Sequence, residues 1–149
     1  MGHTEGDRLV QVFELLGFCV QMHGFRMRTF FLRFGLLQKA VGTWKRGGKH
    51  VIVAGLRLFR TVLVRKDDFY RRHMIQNKLF DPVMDAFREN GERNNLMNST
   101  VLDLFARIAE DSDPLIIDHL VKRHGDRMRA VTYVPTFAKI LEAGRQGSE

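Results

Sequence analysis

The stretch Val51–Ile75, VIVAGLRLFRTVLVRKDDFYRRHMI, decides how the rest of the chain is read. From Val51 to Val64 it is apolar on nearly every side, broken by Arg57 and Arg60. A helix that is hydrophobic almost all round is covered on two flanks by other elements. Arg65-Lys66-Asp67-Asp68 then interrupts the pattern. An amphipathic segment begins at Phe69, with Asp67 or Asp68 placed to cap it. One buried helix, a charged corner and a second, shorter helix make up the unit.

The unit recurs. Leu56, Leu58, Phe59 and Val62 match Leu102, Leu104, Phe105 and Ile108 at a shift of 46 residues, and the same shift backwards lands on Val10, Val12, Phe13 and Leu16. Between these helices, Leu36-Leu37 with Ala40-Val41 matches Leu79-Phe80 with Val83-Met84 at a shift of 43. A period of about 40 to 47 residues is that of HEAT and armadillo arrays, built from two or three helices per repeat. The fold class expected is all-α, an armadillo/HEAT-like solenoid of about three repeats in a single domain, 1–149. Phe13, Phe59 and Phe105 should occupy equivalent buried sites.

Working outward, Asp7 to His23 reads as a helix burying Leu9, Val12, Phe13, Leu16 and Val20, with Gly24 ending it. Phe25 to Phe34 reads as a short helix that buries Met27, Phe30, Phe31 and Phe34 and leaves Arg26, Arg28 and Arg33 outside. Gly35 separates it from Leu36–Thr43, and Trp44 to His50 reads as a flexible basic connector. Downstream, Lys78 to Asn90 is helical with Pro82 near its first turn, where a missing N–H costs little. Asn90-Gly91 stops it, and Asn94 or Asn95 opens a long helix through Ala109. Asp111-Ser112-Asp113-Pro114 starts a helix over Leu115–His124 that Gly125 closes. A last segment, Arg127 to Leu141, breaks or restarts at Pro135, and fraying is expected over 143–149.

Of 149 residues, 44% are apolar and 28% charged, enough to form a packed core rather than a disordered chain. Cys19 is the single cysteine, so no internal disulfide can form, and a reducing compartment fits. No apolar run approaches membrane-spanning length, and no signal-peptide pattern opens the chain. The charge is lopsided. Residues 1–75 hold 14 Lys/Arg against 5 Asp/Glu, net +9, and residues 76–149 hold 10 against 12, net −2. From Leu15 to Lys66 there are eleven basic residues and no acidic one. Such a stretch suits an acidic partner, whether a protein surface or nucleic acid, or else forms a solvated helix face.

No catalytic constellation is present. His119 and His124 are five apart, one more than the spacing that places two ligands on one helix face. Gly42 and Gly47 have P-loop spacing, but Gly48 stands where Lys is needed and no Ser/Thr follows Lys49. Glu110, Asp111 and Asp113 lie at a helix corner, where capping accounts for them. No enzyme activity, metal or cofactor is expected. Asn94 and Asn98 sit one turn apart, a spacing suited to gripping an extended peptide backbone or to local capping.

Several runs point further: Leu56-Arg57-Leu58-Phe59-Arg60, Lys66-Asp67-Asp68-Phe69-Tyr70-Arg71, Leu79-Phe80-Asp81-Pro82-Val83, and Asn95-Leu96-Met97-Asn98-Ser99 before Leu104-Phe105. In this order they resemble the central domain of regulatory subunit 3 of protein phosphatase 4, the SMEK or Falafel family, over about residues 9 to 142. The resemblance implies an armadillo-like, non-catalytic subunit that joins the phosphatase 4 catalytic subunit and a second regulatory subunit, in the nucleus and cytoplasm. In that family an N-terminal pleckstrin-homology-like domain reads proline-containing motifs and a long charged tail follows. The present residues look like the last part of the helical domain, so substrate choice does not carry over. The resemblance supplies no catalytic or substrate-binding position. The expected function is a helical-repeat scaffold, with Arg57, Arg60, Arg65 and Arg71 as candidate partner contacts beside Asn94 and Asn98. The alternative is a nucleic-acid-binding helical repeat using Arg26–Lys66, with single strands favoured only if the interleaved aromatics are exposed.

Overall fold

The ends of the helices are fixed by short polar side chains and by glycine. In the computed structural model, which describes residues 2–91 and 95–147, the elements in order are α1 (Gly2–Met22), α2 (Gly24–Phe34), α3 (Leu36–Gly42), the single turn α4 (Trp44–Gly47) and α5 (Lys49–Val64). They continue with α6 (Asp68–Gln76), α7 (Phe80–Asn90), α8 (Leu96–Asp111), α9 (Pro114–Arg129) and α10 (Thr136–Gly147). Gly35 adopts a left-handed φ of 58° and donates its N–H to the Phe31 carbonyl, which lets α2 stop and α3 start within one residue. Asp67 accepts the Phe69 N–H at 2.8 Å, Asn95 the Asn98 N–H at 3.0 Å, and Asp113 the Leu115 N–H at 3.0 Å. Each satisfies a helix-start donor that would otherwise be orphaned.

These helices form two rows. α1, α5, α8 and α10 lie side by side in one row, and α2, α6 and α9 in the other, with α3 against α5 and α7 against α8. The repeating unit is therefore three helices, α2–α3–α5 and then α6–α7–α8, with α1 ahead of them and a shortened α9–α10 behind. The 46-residue shift is the step from one helix of the first row to the next. Phe13, Phe59 and Phe105, one per helix, are 5%, 0% and 0% exposed. Phe137 on α10 takes the next place only 32 residues after Phe105, because residues 130–135 replace a whole helix there. Its ring packs 5.1 Å from that of Phe105.

Several local expectations are corrected. Val12, Phe30 and Phe34 are exposed rather than buried, because among the described residues no element packs on the side of α1 and α2 that faces away from α5 and α6. Arg28, expected outside, lies partly buried against Asp67. The Trp44–His50 stretch is not a loose connector: Trp44 is buried against Phe59 and anchors the turn, and α5 already begins at Lys49. Gly125 does not close α9, which runs four residues further because Met128 finds a fully buried place. At the C-terminus α10 is helical to Gly147, and a Cβ on Gly144 would fall 2.8 Å from Val121.

Candidate partner-binding surface

The four candidate arginines come from one stretch of chain but end in different surroundings. Arg71 on α6 is held internally. Its guanidinium bonds Asp113, the cap of α9, and pairs with Asp68, leaving the side chain 20% exposed. Arg28 does the same one unit earlier, donating to Asp67, the cap of α6, at 3.2 Å. In both places an aspartate that starts one second-row helix receives an arginine from the preceding one. Arg60 on α5 reaches Asp103 on α8 at 2.8 Å, and Lys66 lies 3.7 Å from Asp111, so part of the acid-free segment is neutralised by the second half.

Arg57 and Arg65 differ from these. Arg57 is exposed, has no ion pair among the described residues, and lines an open cleft of about 230 Å³ between α1 and α5 with Glu14, Phe18 and Thr61. Arg65 is exposed too, and its guanidinium donates to the Gln21 carbonyl at 3.4 Å, complementing the negative end of α1. That position needs Gly24, since a Cβ there would fall 2.3 Å from the guanidinium carbon. Asn98 is buried, 6% exposed, with its N–H taken by the Asn95 cap and its side-chain oxygen unpaired. Asn95 also exchanges two hydrogen bonds with Asn90. Asn94 lies outside the described residues.

A second polar cluster ties α9 to α7. Asp81 receives a two-pronged contact from Arg123, at 2.7 and 2.6 Å, and the Nε2–H of His124 at 2.8 Å. The Arg123 hydrogen bonds hold the Asp81 carboxyl below its ordinary range. Burial lowers His124 in spite of the carboxylate, so the imidazole is held neutral. His73 is likewise lowered by burial, donating from Nε2 to Gln38 while Asn77 donates to its Nδ1. Tyr70, buried edge-on against Phe31, is pushed up to about 12, chiefly by burial. Asp81 and His73 thus make bonds across units, whereas the Tyr70 hydroxyl is buried without a hydrogen-bond partner among the described residues. Among the described residues no three His, Cys, Asp or Glu gather as a metal would need.

Sequence reasoning missed the exposed apolar residues of the first unit. Val12, Leu15, Phe18 and Met22 on α1, and Phe25, Phe30 and Phe34 on α2, all reach solvent. The signal was available in the repeat itself. Val12 corresponds to Leu58, which lies toward Gly17 of α1, so the repeat places Val12 where a neighbouring helix would stand.

Stacked helical units of this kind define a helical-repeat solenoid, and the sequence comparisons place it in a family. The sequence profile described as "Phosphatase 4 regulatory subunit 3" matches residues 3–146, and the chain belongs to that family. It is 30% identical over 145 residues to "Suppressor of Mek1" of Dictyostelium discoideum, covering 89% of this chain and 14% of that protein. It is 33% identical over 126 residues to "Serine/threonine-protein phosphatase 4 regulatory subunit 3" of Drosophila melanogaster, covering 85% of this chain and 13% of that one. The chain thus spans about one-seventh of the length of these relatives. No solved structure matches it.

Proposed function

We propose that the chain acts by stoichiometric protein binding, as a non-catalytic scaffold contributing to assembly or targeting of a phosphatase 4 complex in the nucleus and cytoplasm. Its partners would be the catalytic subunit and a second regulatory subunit. The observation that carries this reading is the Arg57 cleft: an exposed guanidinium with no ion pair among the described residues, set in a groove between two repeat helices. Arg65 extends the same positive surface, whereas Arg60 and Arg71 are engaged with Asp103 and Asp113. An acidic protein surface matches that field. The test is Arg57→Glu in a pull-down of phosphatase 4 subunits, after circular dichroism shows the helices intact. Loss of the subunits supports the reading, and unchanged recovery removes this cleft as the contact. As a non-catalytic subunit, the purified chain with added manganese should match the blank on a phosphopeptide.

One observation favours the nucleic-acid alternative. Phe25, Phe30, Phe34 and Phe69 are exposed and interleaved with Arg26, Arg28 and Arg33. Arg28 already lies over the Phe25 and Phe69 rings, at 4.6 and 4.3 Å, and Arg33 over Phe34 at 5.6 Å, which leaves Phe30 as the exposed ring with no cation over it among the described residues. Binding of a single-stranded oligonucleotide that weakens steeply with salt would support this reading, and no binding at low salt would remove it.

A further inference from the structure

A second open cleft, of about 270 Å³, lies where the unit ending in α8 meets the one that α9 begins. Its walls are the C-terminal half of α7 on one side, and the last turn of α9 with the connector after it on the other. Both walls lie within the chain. Met84 and Phe87, nearly fully buried, form the floor, and Val131 and Tyr133 stand on the connector side. The Tyr133 ring lies almost parallel to that of Phe87, with 8° between their planes and 6.4 Å between centroids. Gly91 is at the rim with a φ of 69°, and a Cβ built there would meet no described atom within 4 Å.

Size, charge and backbone together select an occupant. The volume falls just under the roughly 300–1,000 Å³ of sites that enclose a whole small-molecule ligand. It suits one large apolar side chain, and the aromatic wall favours a ring. The charged side chains described along the cleft are Arg88 and Arg127, both cationic. They share one carboxylate, Asp85, at 3.7 and 3.0 Å. A single carboxylate cannot neutralise two guanidiniums, and the Arg88 side chain, 64% exposed, is free to turn to an incoming acid. The connector supplies the third observation. Residues 131–135 are not helical, and Thr132 and Val134 make no backbone hydrogen bond to any described residue. An extended peptide can meet those N–H and C=O groups as it would a sheet edge. A helix cannot, because its own backbone groups are already paired.

We infer that this cleft docks an extended peptide carrying an aromatic residue followed by a carboxylate, with the ring against Phe87 and Tyr133 and the acid on Arg88 and Arg127. The site is separate from the Arg57 cleft and stands or falls without it. The probe is the capped peptide Gly-Ser-Phe-Asp-Glu-Ser-Gly, titrated into the isotope-labelled chain and followed by amide chemical shifts. Its concentration is taken to about 2 mM, enough to reveal millimolar binding. Shifts should centre on Arg88, Gly91, Val131 and Thr132. Replacing the phenylalanine of the probe with alanine, or its two acids with lysines, should weaken binding at least about tenfold. Arg88→Ala with Arg127→Ala should weaken the original probe as much and remove its salt dependence. Ala130→Trp should fill the cleft and abolish binding with helix content unchanged, because Ala130 is exposed and its backbone is right-handed, open to any side chain. No shifts at the highest concentration would overturn the inference, as would equal binding of the lysine peptide or binding that survives Ala130→Trp. Shifts of the same amides on raising the protein concentration without peptide would overturn it too, by giving the cleft to a second copy of the chain.

Discussion

Asp113 carries two duties that substitution can separate. One oxygen caps α9 through the Leu115 N–H, and the other receives Arg71 from α6, with the aspartate side chain only 12% exposed. Replacing a good cap with alanine costs about 1 kcal/mol. Losing a partly buried, charge-assisted hydrogen bond costs about 1.5–3 kcal/mol. Asp68 remains beside Arg71 and softens that loss, although it is itself well exposed. Asp113→Ala should therefore destabilise by about 2–4 kcal/mol, lowering Tm by about 2–4 °C for each kcal/mol in a chain of this length. Asparagine caps as well as aspartate but carries no charge. Asp113→Asn should lose about half as much, and the difference between the two variants isolates the cap. Urea titrations of all three proteins, followed by circular dichroism, give the values. If Asp113→Ala stays within about 0.5 kcal/mol of wild type, as an ordinary surface change does, the tie between units is worthless and the reasoning fails.

Other outcomes follow from the packing. Phe59→Ala and Phe105→Ala, both at fully buried sites, should each cost about 3–5 kcal/mol in the same titration, and a change below 1 kcal/mol in either would contradict the equivalence of these positions. Gly55→Ala places a Cβ 2.4 Å from the indole Nε1 of Trp44 and 3.0 Å from two ring carbons. The stiff ring has to move, so a loss of about 1–3 kcal/mol and a shifted tryptophan emission are expected, and an unchanged spectrum would refute the contact. For pH, His73, His119 and His124 have folded-state pKa values lowered from 6.5 by burial, so the unfolded chain takes their protons first. Stability should be full above about 6.5 and fall as the pH drops below it, with a further fall below about 3.8 as Asp81 is protonated. The upper limb should shrink in His124→Gln. A stability that rises between neutral and mildly acid pH would reverse the sign and exclude the buried neutral histidines.

The fold was legible because the row of large helices repeats in sequence with almost no slippage: Phe13, Phe59 and Phe105 are each surrounded on the side that the chain must bury. Caps were legible for the same local reason, and Asp67, Asn95 and Asp113 act through donors two or three residues away. What one helix shows to another was harder to read. Periodicity marks Val12, Phe30 and Phe34 as core residues, but whether a side chain is buried depends on whether an element stands opposite it. Trp44 was missed in the other direction, because the glycines and lysines around it mimic a loop while its indole reaches Phe59. Of the candidate contacts, the sequence could not separate Arg57 from Arg71, since Asp113, the less exposed of the two carboxylates on Arg71, lies 42 residues away. The burial of Asn98 was equally hidden, as it depends on how α8 seats against α5 and α7.

Because Arg28 meets Asp67 and Arg71 meets Asp113, the unit that starts at α6 extends a cation forward and offers an anion backward, and the units on either side each supply the matching half. Such a connection is indifferent to how many units lie between its ends. Excising one whole period, from just after Asp67 through Asp113, would leave Arg28 opposite an aspartate at the next corner and Phe13 and Phe59 still in step. Removing a single residue inside a unit would put both out of register at once. The array is thus tolerant of gain or loss in multiples of its own period and intolerant of anything smaller, so its length can drift over generations while each junction keeps its chemistry.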